Sequence, residues 1–330
     1  VAILTTATTN FNNTVTALIR RQIDENLRNS TRYLAGGDPV RGTIIKGTNL
    51  IRHIAYADMS VTTNAHTVTP GTTPWLTEGS KPTEEAMAIY YEEYGANQAG
   101  RTLQISDVAL AESPHELMAV AAERVATNAG QTVDLWSGET LHAGTARVLY
   151  SGTATSRATV AATHNLTAAN VREAVAVLKT ANVPTFADGM YRAFINPMIA
   201  HDLMAEAAAG GWLDVARYAA PDMILSGEIG RFAGVRFIET NVANLFADTG
   251  VGATVDVYST FFFGPGAWAF GDLQSIRAYM VSPGGDHQDP LAQAAVVGWK
   301  AMFGAKLLTN TGSGDRYLRY ESASSIGANT

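Results

Sequence analysis

Residues able to do chemistry are present in this chain, but their spacing does not bring them into working sets. Its seven histidines, His53, His66, His115, His142, His164, His201 and His287, are scattered along the sequence. No two stand four apart, the spacing that puts two imidazoles on one helical face for a metal, and no HExxH occurs. The one dense polar cluster is Asp286-His287-Gln288-Asp289, followed by Pro290. Two carboxylates around an imidazole could bind a metal or move a proton. The same composition also makes an ordinary polar turn, which is the reading adopted. No G-x-S-x-G elbow presents a serine nucleophile. None of the five lysines follows the glycine pair of a phosphate loop, and Gly250-Val251-Gly252 lacks the third glycine of a dinucleotide fingerprint. Glu84-Glu85 and Glu92-Glu93 imitate a carboxylate pair, but adjacent acids usually mark a solvated face. With no cysteine there is no disulfide, thiolate zinc site, cysteine nucleophile or iron–sulfur cluster. No catalytic, cofactor-binding or metal-ligating residue is assigned, and no enzyme activity is expected.

Charge carries more. Arg20, Arg21, Arg28 and Arg32 could each contact a phosphate without reading sequence. Asp24 and Glu25 lie at helical spacing from them, so a salt-bridged helix is the competing reading. By segment the formal charge is +3 for residues 1–50, −6 for 51–164, −5 for 165–272 and +1 for 273–330. Basic ends thus flank an acidic middle. Of the 330 residues 46% are apolar and 16% charged, against about 25% charged in an ordinary soluble domain. Thirty glycines and a mean hydropathy of +0.01 complete the profile. A core is well supplied, but an isolated globule would be thinly coated with charge. Subunits that cover one another suit this composition. The most apolar long stretch, Ala292 to Leu308, holds Lys300 and Lys306 and is too short to span a bilayer. Val1 to Asn13 is rich in Thr and Asn, without a signal peptide's basic start and apolar run. A soluble, unexported chain with no membrane contact is expected, in which the sequons at Asn12, Asn29 and Asn165 carry no weight.

The elements that would position these residues read as α+β. Residues 1–50 offer one helix, about Val15 to Arg32, broken by Gly36-Gly37-Asp38-Pro39. That is too little apolar surface for a domain, so an arm that packs on something else is expected. Residues 60–88 are weakly patterned, with Trp75, Leu76 and Met87 as the large apolar residues. Such a stretch is either disordered or an extended hairpin steadied by a neighbour. Ser113-Pro114-His115-Glu116 is a capping box that opens a long helix. Leu117, Ala121, Val125, Ala129, Val133 and Trp136–Leu141 mark its inner face, and Gly130 is a weak point. Thr167 caps a helix carrying Val171, Val175 and Leu178 that ends at Asn182-Val183-Pro184. Tyr191 to Ile195 is a strand, and Asn196-Pro197 caps a helix that Gly210-Gly211 ends. Val235 to Ile238, Val255 to Phe263, Ile276 to Val281 and Val296 to Leu308 are further strands.

In this order the residues resemble the major capsid proteins of tailed bacteriophages, in the family typified by coliphage N-four. The matching runs are Leu76-Thr77-Glu78-Gly79, Tyr94-Gly95, Ile105-Ser106-Asp107 and Gly227-Glu228-Ile229-Gly230. Gly234-Val235-Arg236-Phe237-Ile238-Glu239-Thr240 is the strongest of them. Asp289-Pro290-Leu291, Gln293, Val297-Gly298-Trp299-Lys300 and Ala305-Lys306 close the series. Each tetrapeptide alone is weak; the ordered spacing from about Leu50 to Glu321 is specific. The arm before Leu50 matches poorly, and Val251 to Thr254 is a small loop difference.

The resemblance implies the Hong Kong 97-type capsid fold. It divides the chain into an N-terminal arm (1–50), an extended loop with flanking strands (51–112) and a spine helix with peripheral domain (113–164). An axial domain (165–272) and a peripheral return with the C-terminus (273–330) follow. It implies a virion shell protein, assembled in the host cytoplasm into homo-hexamers and homo-pentamers around double-stranded DNA, with portal, scaffolding and decoration proteins as further partners. Expected inter-subunit contacts are Trp75, Leu76, Glu78 and Lys81, with Trp75 as the aromatic anchor. Arg20, Arg21, Arg28 and Arg32 would face the DNA without specificity. Two rivals are an encapsulin-like compartment shell and, from another class, an α+β hydrolase built on Asp286, His287 and Asp289.

Overall fold

The structure, a computed structural model, describes residues 32–45, 47–56, 78–79, 89–113, 117–206, 228–242, 245–281, 283, 291, 293–309 and 315–326. Their order is mixed α and β, as expected. The chain enters through α1 (Arg32–Gly37), β1 (Val40–Arg41), β2 (Thr43–Ile44) and β3 (Leu50–Tyr56). It continues through β4 (Ile89–Gly95), β5 (Asn97–Ser106), α2 (Asp107–Glu112) and the long α3 (Leu117–His142). Then come β6 (Val148–Tyr150), α4 (Ala168–Thr180), β7 (Tyr191–Ile195), α5 (Pro197–Ala205), β8 (Glu228–Phe232) and β9 (Val235–Glu239). The last elements are β10 (Leu245–Phe246), β11 (Val257–Phe263), β12 (Trp268–Val281), β13 (Ala294–Leu307) and β14 (Tyr317–Ser322).

These strands form three sheets among the described residues. One has the order β1-β12-β13-β5, one the order β2-β3-β4, and the largest runs β6-β14-β11-β7-β9-β8 with β10 paired to β11. The largest sheet therefore draws strands from 148–150 and 317–322 as well as from the 191–263 region. Its centre, β11, is buried at every position. Because strand side chains alternate, it serves two cores. Tyr258 and Phe262 face the aliphatic core under α4 and α5, with Val171, Leu178, Ile199 and Leu203. Phe261 and Phe263 face the other way, stacking on Tyr317 and Phe194 with ring centroids 5.4 and 5.1 Å apart. Burying each such ring contributes roughly 1.5–3 kcal/mol.

Helix α3 belongs to that second core. Its inner stripe is made of small residues, Ala121, Val125, Ala129 and Val133, which lets β13 approach closely. Val297, Trp299, Ala301 and Phe303 of β13 fill the space, and Trp299 Nε1 donates to Asn128 Oδ1 at 3.0 Å. Gly130 is buried and does not interrupt the helix. Trp136, expected on the inner face, is 38% exposed and touches Phe303 edge-on. A large indole does not fit where a helix rides on a sheet through alanines, so it sits at the rim.

Other differences from the sequence reading are local. Residues 114–116 of the expected capping box lie outside the described residues, and Ser113 ends α2 instead. Helix α2 itself was not foreseen; Ser106 caps it, accepting from Ala109 N at 3.2 Å. Helix α5 ends at Ala205, with Glu206 already extended, ahead of Gly210-Gly211. Strand β12 begins at Trp268 rather than Ile276. All but the last residue of the Val15–Arg32 helix lies outside the described residues, and α1 runs on through Gly36 and Gly37 to Asp38, whose φ is 44°.

Candidate assembly surface

The described residues hold no cluster of three potential metal ligands, and no helix among them is long and apolar enough to cross a membrane. What stands out is a surface. Strands β3 and β4 form an antiparallel stem in which Leu50 pairs with Gly95 and Tyr56 with Ile89. Facing pairs share a side of the ribbon. On one side Ile51 and Tyr94 are buried with Ala269 and Leu308. Glu92, on the same side, accepts from Thr309 N at 2.9 Å and lies 3.2 Å from Lys306 Nζ. This side is docked as far as Glu92; beyond it Tyr90 is 40% exposed.

The docking depends on two glycines. Gly271 and Gly304 are direct partners across β12 and β13. A Cβ on Gly271 would lie 2.6 Å from Ile51 Cδ1, and one on Gly304 would lie 2.5 Å from the Gly95 carbonyl oxygen. The missing side chains make the notch into which the stem is set.

The opposite side of the stem is exposed among the described residues. It carries the cross-strand pairs Ile54–Tyr91 and Tyr56–Ile89, whose four members are 49–63% exposed. Next along the ribbon, Arg52 is ion-paired to Glu93, with Nε 2.7 Å from Oε1, and its guanidinium lies 5.0 Å from the Tyr91 ring. An apolar patch beside a bridged charge pair has the make-up of a protein interface. Sequence reasoning missed these four residues. Their signal was available: an alternating Arg-x-Ile-x-Tyr at 52–56 and an Ile-Tyr-Tyr run at 89–91, either side of the weakly patterned stretch.

A second constellation is buried. Tyr33 of α1 is fully enclosed and ties the N-terminal helix to α3 and β7. Its backbone N–H donates to Asp134 Oδ1 at 2.8 Å, and its hydroxyl donates to the Val242 carbonyl at 2.7 Å. The hydroxyl oxygen therefore accepts from His142 Nε2, 3.0 Å away. That fixes the ring proton on Nε2 and leaves Nδ1 to accept from Ser259 Oγ at 2.7 Å. Serine and histidine at this distance imitate a nucleophile and its base. Both are almost wholly buried, and the imidazole's other nitrogen meets a phenol rather than a carboxylate. This is a structural chain. Burial pushes the Asp134 carboxyl up to about 6, against the opposing pull of the Tyr33 and Arg32 amides and the Arg32 charge. Burial, with the Arg319 guanidinium, pushes the His142 imidazole down to about 3.

Of the residues singled out in the sequence, Arg32 is exposed at the first position of α1, with its charge acting on Asp134. Glu78 is exposed in a turn with Gly79. Arg20, Arg21, Arg28, Trp75, Leu76, Lys81 and the Asp286–Asp289 cluster lie outside the described residues.

No protein-family model matches the sequence, and no curated protein matches it. Solved structures do match. The chain is similar to the capsid of Ralstonia phage GP4, with a TM-score of 0.66 at 15% identity over 84% of each chain. It is similar to the cyanophage Pam1 capsid, with a TM-score of 0.63 at 15% identity, over 84% of this chain and 86% of that one. The acid-stable capsid of Helicobacter pylori bacteriophage KHP30 follows at 0.58 and 11% identity, over 84% and 85%. The chain has the Hong Kong 97-type capsid fold.

Proposed function

We propose that this chain is the major capsid protein of a tailed bacteriophage, in the group typified by coliphage N-four. Copies of it would assemble as hexamers and pentamers into an icosahedral head around double-stranded DNA. The observation that carries the reading is the fold likeness to phage capsids along 84% of this chain and a similar share of theirs. The exposed apolar side of the β3–β4 stem supports it, because a lone subunit gains nothing from exposing Ile54, Tyr56, Ile89 and Tyr91 together.

In this reading residues 1–50 are the arm, 51–112 the extended loop and its strands, 113–164 the spine and peripheral domain, 165–272 the axial domain, and 273–330 the peripheral return. Trp75, Leu76, Glu78 and Lys81 meet an adjacent subunit. Arg20, Arg21, Arg28 and Arg32 lie on the inner side and partly neutralise phosphate, a contact set by charge and not by base sequence. Portal, scaffolding and decoration proteins are its further partners, and catalysis is no part of its role. The ordered motifs from Leu76 to Lys306 support the narrower kinship.

Deleting residues 64–84 tests the loop's part. The described helices and strands are untouched by it, so the variant should keep its circular dichroism yet form no closed shells. Each loop contact recurs many times in a shell, and closure amplifies a modest loss at each. Particles of normal diameter from the deletion variant would sink the loop's role.

A further inference from the structure

Tyr33 seals two ionisable groups of α3 at once, by its amide on Asp134 and its phenol on His142. The two stand two helical turns apart under α1 and are 1% and 2% exposed. Asp134 is faced by Arg32 and Tyr33 of α1. His142 is faced by Tyr33 of α1, by Ser259 and Phe261 of β11, and by Arg319 of β14, which donates to the His142 carbonyl. Behind Arg319 stand Glu321 and Arg157. Thr240 and Val242, after β9, complete the surroundings of the Tyr33 hydroxyl.

We propose that Tyr33 is a latch holding the N-terminal segment against the spine helix, and that Asp134 and His142 are an opposed pair keeping its grip constant as pH falls. Opening the latch would rewet both groups. Closed, the Asp134 carboxyl keeps its proton up to about 6; open, it returns toward its ordinary 3.8. Stability from that raised value is fully present below 3.8 and is lost as pH rises through about 6, so acidification tightens the latch. Closed, His142 refuses a proton down to about 3; open, it takes one near 6.5. Stability from that lowered value is present above 6.5 and is lost as pH falls toward 3, so acidification loosens the latch. Between about pH 7 and about pH 4.5 the two linkages have opposite sign and comparable size. This inference concerns contacts within one chain and stands whether or not the chain forms a shell.

The test is amide hydrogen exchange, read by mass spectrometry on peptides covering residues 32–38 of the full chain. It is run at about pH 7 and about pH 4.5, with correction for intrinsic rates. The opening constant of the unaltered protein should change by less than about fivefold between the two. In Asp134→Asn it should rise on acidification by on the order of fiftyfold, since only His142 then titrates. In His142→Gln it should fall by about twentyfold, since only Asp134 then titrates. The double variant should be flat again. Slopes of the same sign in the two single variants, or a slope in neither, would overturn the proposal. Should a variant fail to fold at neutral pH, the unaltered protein carries the test through ¹³C-labelled histidine resonances. His142 should remain neutral at about pH 4.5, and a charged His142 there would overturn the proposal equally.

Discussion

Glu321 is wholly buried and holds two guanidinium groups. Arg157 grips it with both Nε and Nη2, at 2.9 and 2.6 Å, while Arg319 Nε lies 2.9 Å from Oε1. Arg157 Cζ also lies over the Phe246 ring, 3.5 Å from its centre. Removing one member of a buried set strands the others' charge. Glu321→Gln should therefore destabilise the subunit by about 3–5 kcal/mol, read from the denaturant midpoint. By contrast, Arg41→Ala breaks an exposed pair with Asp272 and should change stability by less than about 1 kcal/mol. Equal shifts in the two variants would contradict this burial argument. Little of this set was legible in the sequence. Arg157 and Glu321 are 164 residues apart, and nothing local in either stretch points to the other. Local chemistry was legible: Thr167 and Asn170 exchange capping bonds, and Asn196 accepts from Met198 N at 2.9 Å beside Pro197. Caps are decided within four residues, so spacing alone reveals them.

Elements decided by local patterning came out nearly in place: β7 at Tyr191–Ile195, β9 from Val235, and β13 within two residues at its start. Helix α2 escaped because all six of its residues are at least partly exposed and show no apolar stripe. The early part of β12, from Trp268, escaped because a strand buried on both faces does not alternate. The notch was also invisible, since Gly271 and Gly304 acquire their meaning from facing each other across a sheet. Gly304→Ala would drive a methyl onto the Gly95 carbonyl, a backbone atom that cannot rotate aside. Expect a loss of about 1–3 kcal/mol and faster amide exchange in β3 and β4. Unchanged exchange in the stem would show that the notch does not seat it. The outer side of the stem predicts the opposite pattern. Tyr91→Ser with Ile54→Ser removes exposed groups, so the subunit's unfolding midpoint should move by less than about 0.5 kcal/mol each. Association should weaken sharply, since central apolar anchors commonly carry 2 kcal/mol or more. Loss of subunit stability with unchanged association would place these residues in the fold and not in an interface.

At the scale of the whole molecule, composition, fold and surface agree. A chain with 16% charged residues builds two apolar cores on opposite sides of β11 and still leaves an apolar face exposed on the β3–β4 stem. That economy of charge makes sense where neighbours complete the surface. The overall class was legible because ordered motifs span the chain. The exposed face of the stem was half legible: each strand's own alternation could be read, but the register of β3 on β4 that joins them into one patch could not. The central claim is that the chain is a shell subunit whose stem is covered by another copy. An electron-microscopy map of particles formed by the purified, unaltered chain tests it most directly. Closed icosahedral shells are expected, with Ile54, Tyr56, Ile89 and Tyr91 buried against a neighbouring subunit. A chain that stays at 35.0 kDa at every concentration tried, or shells in which those four side chains face solvent, would contradict it.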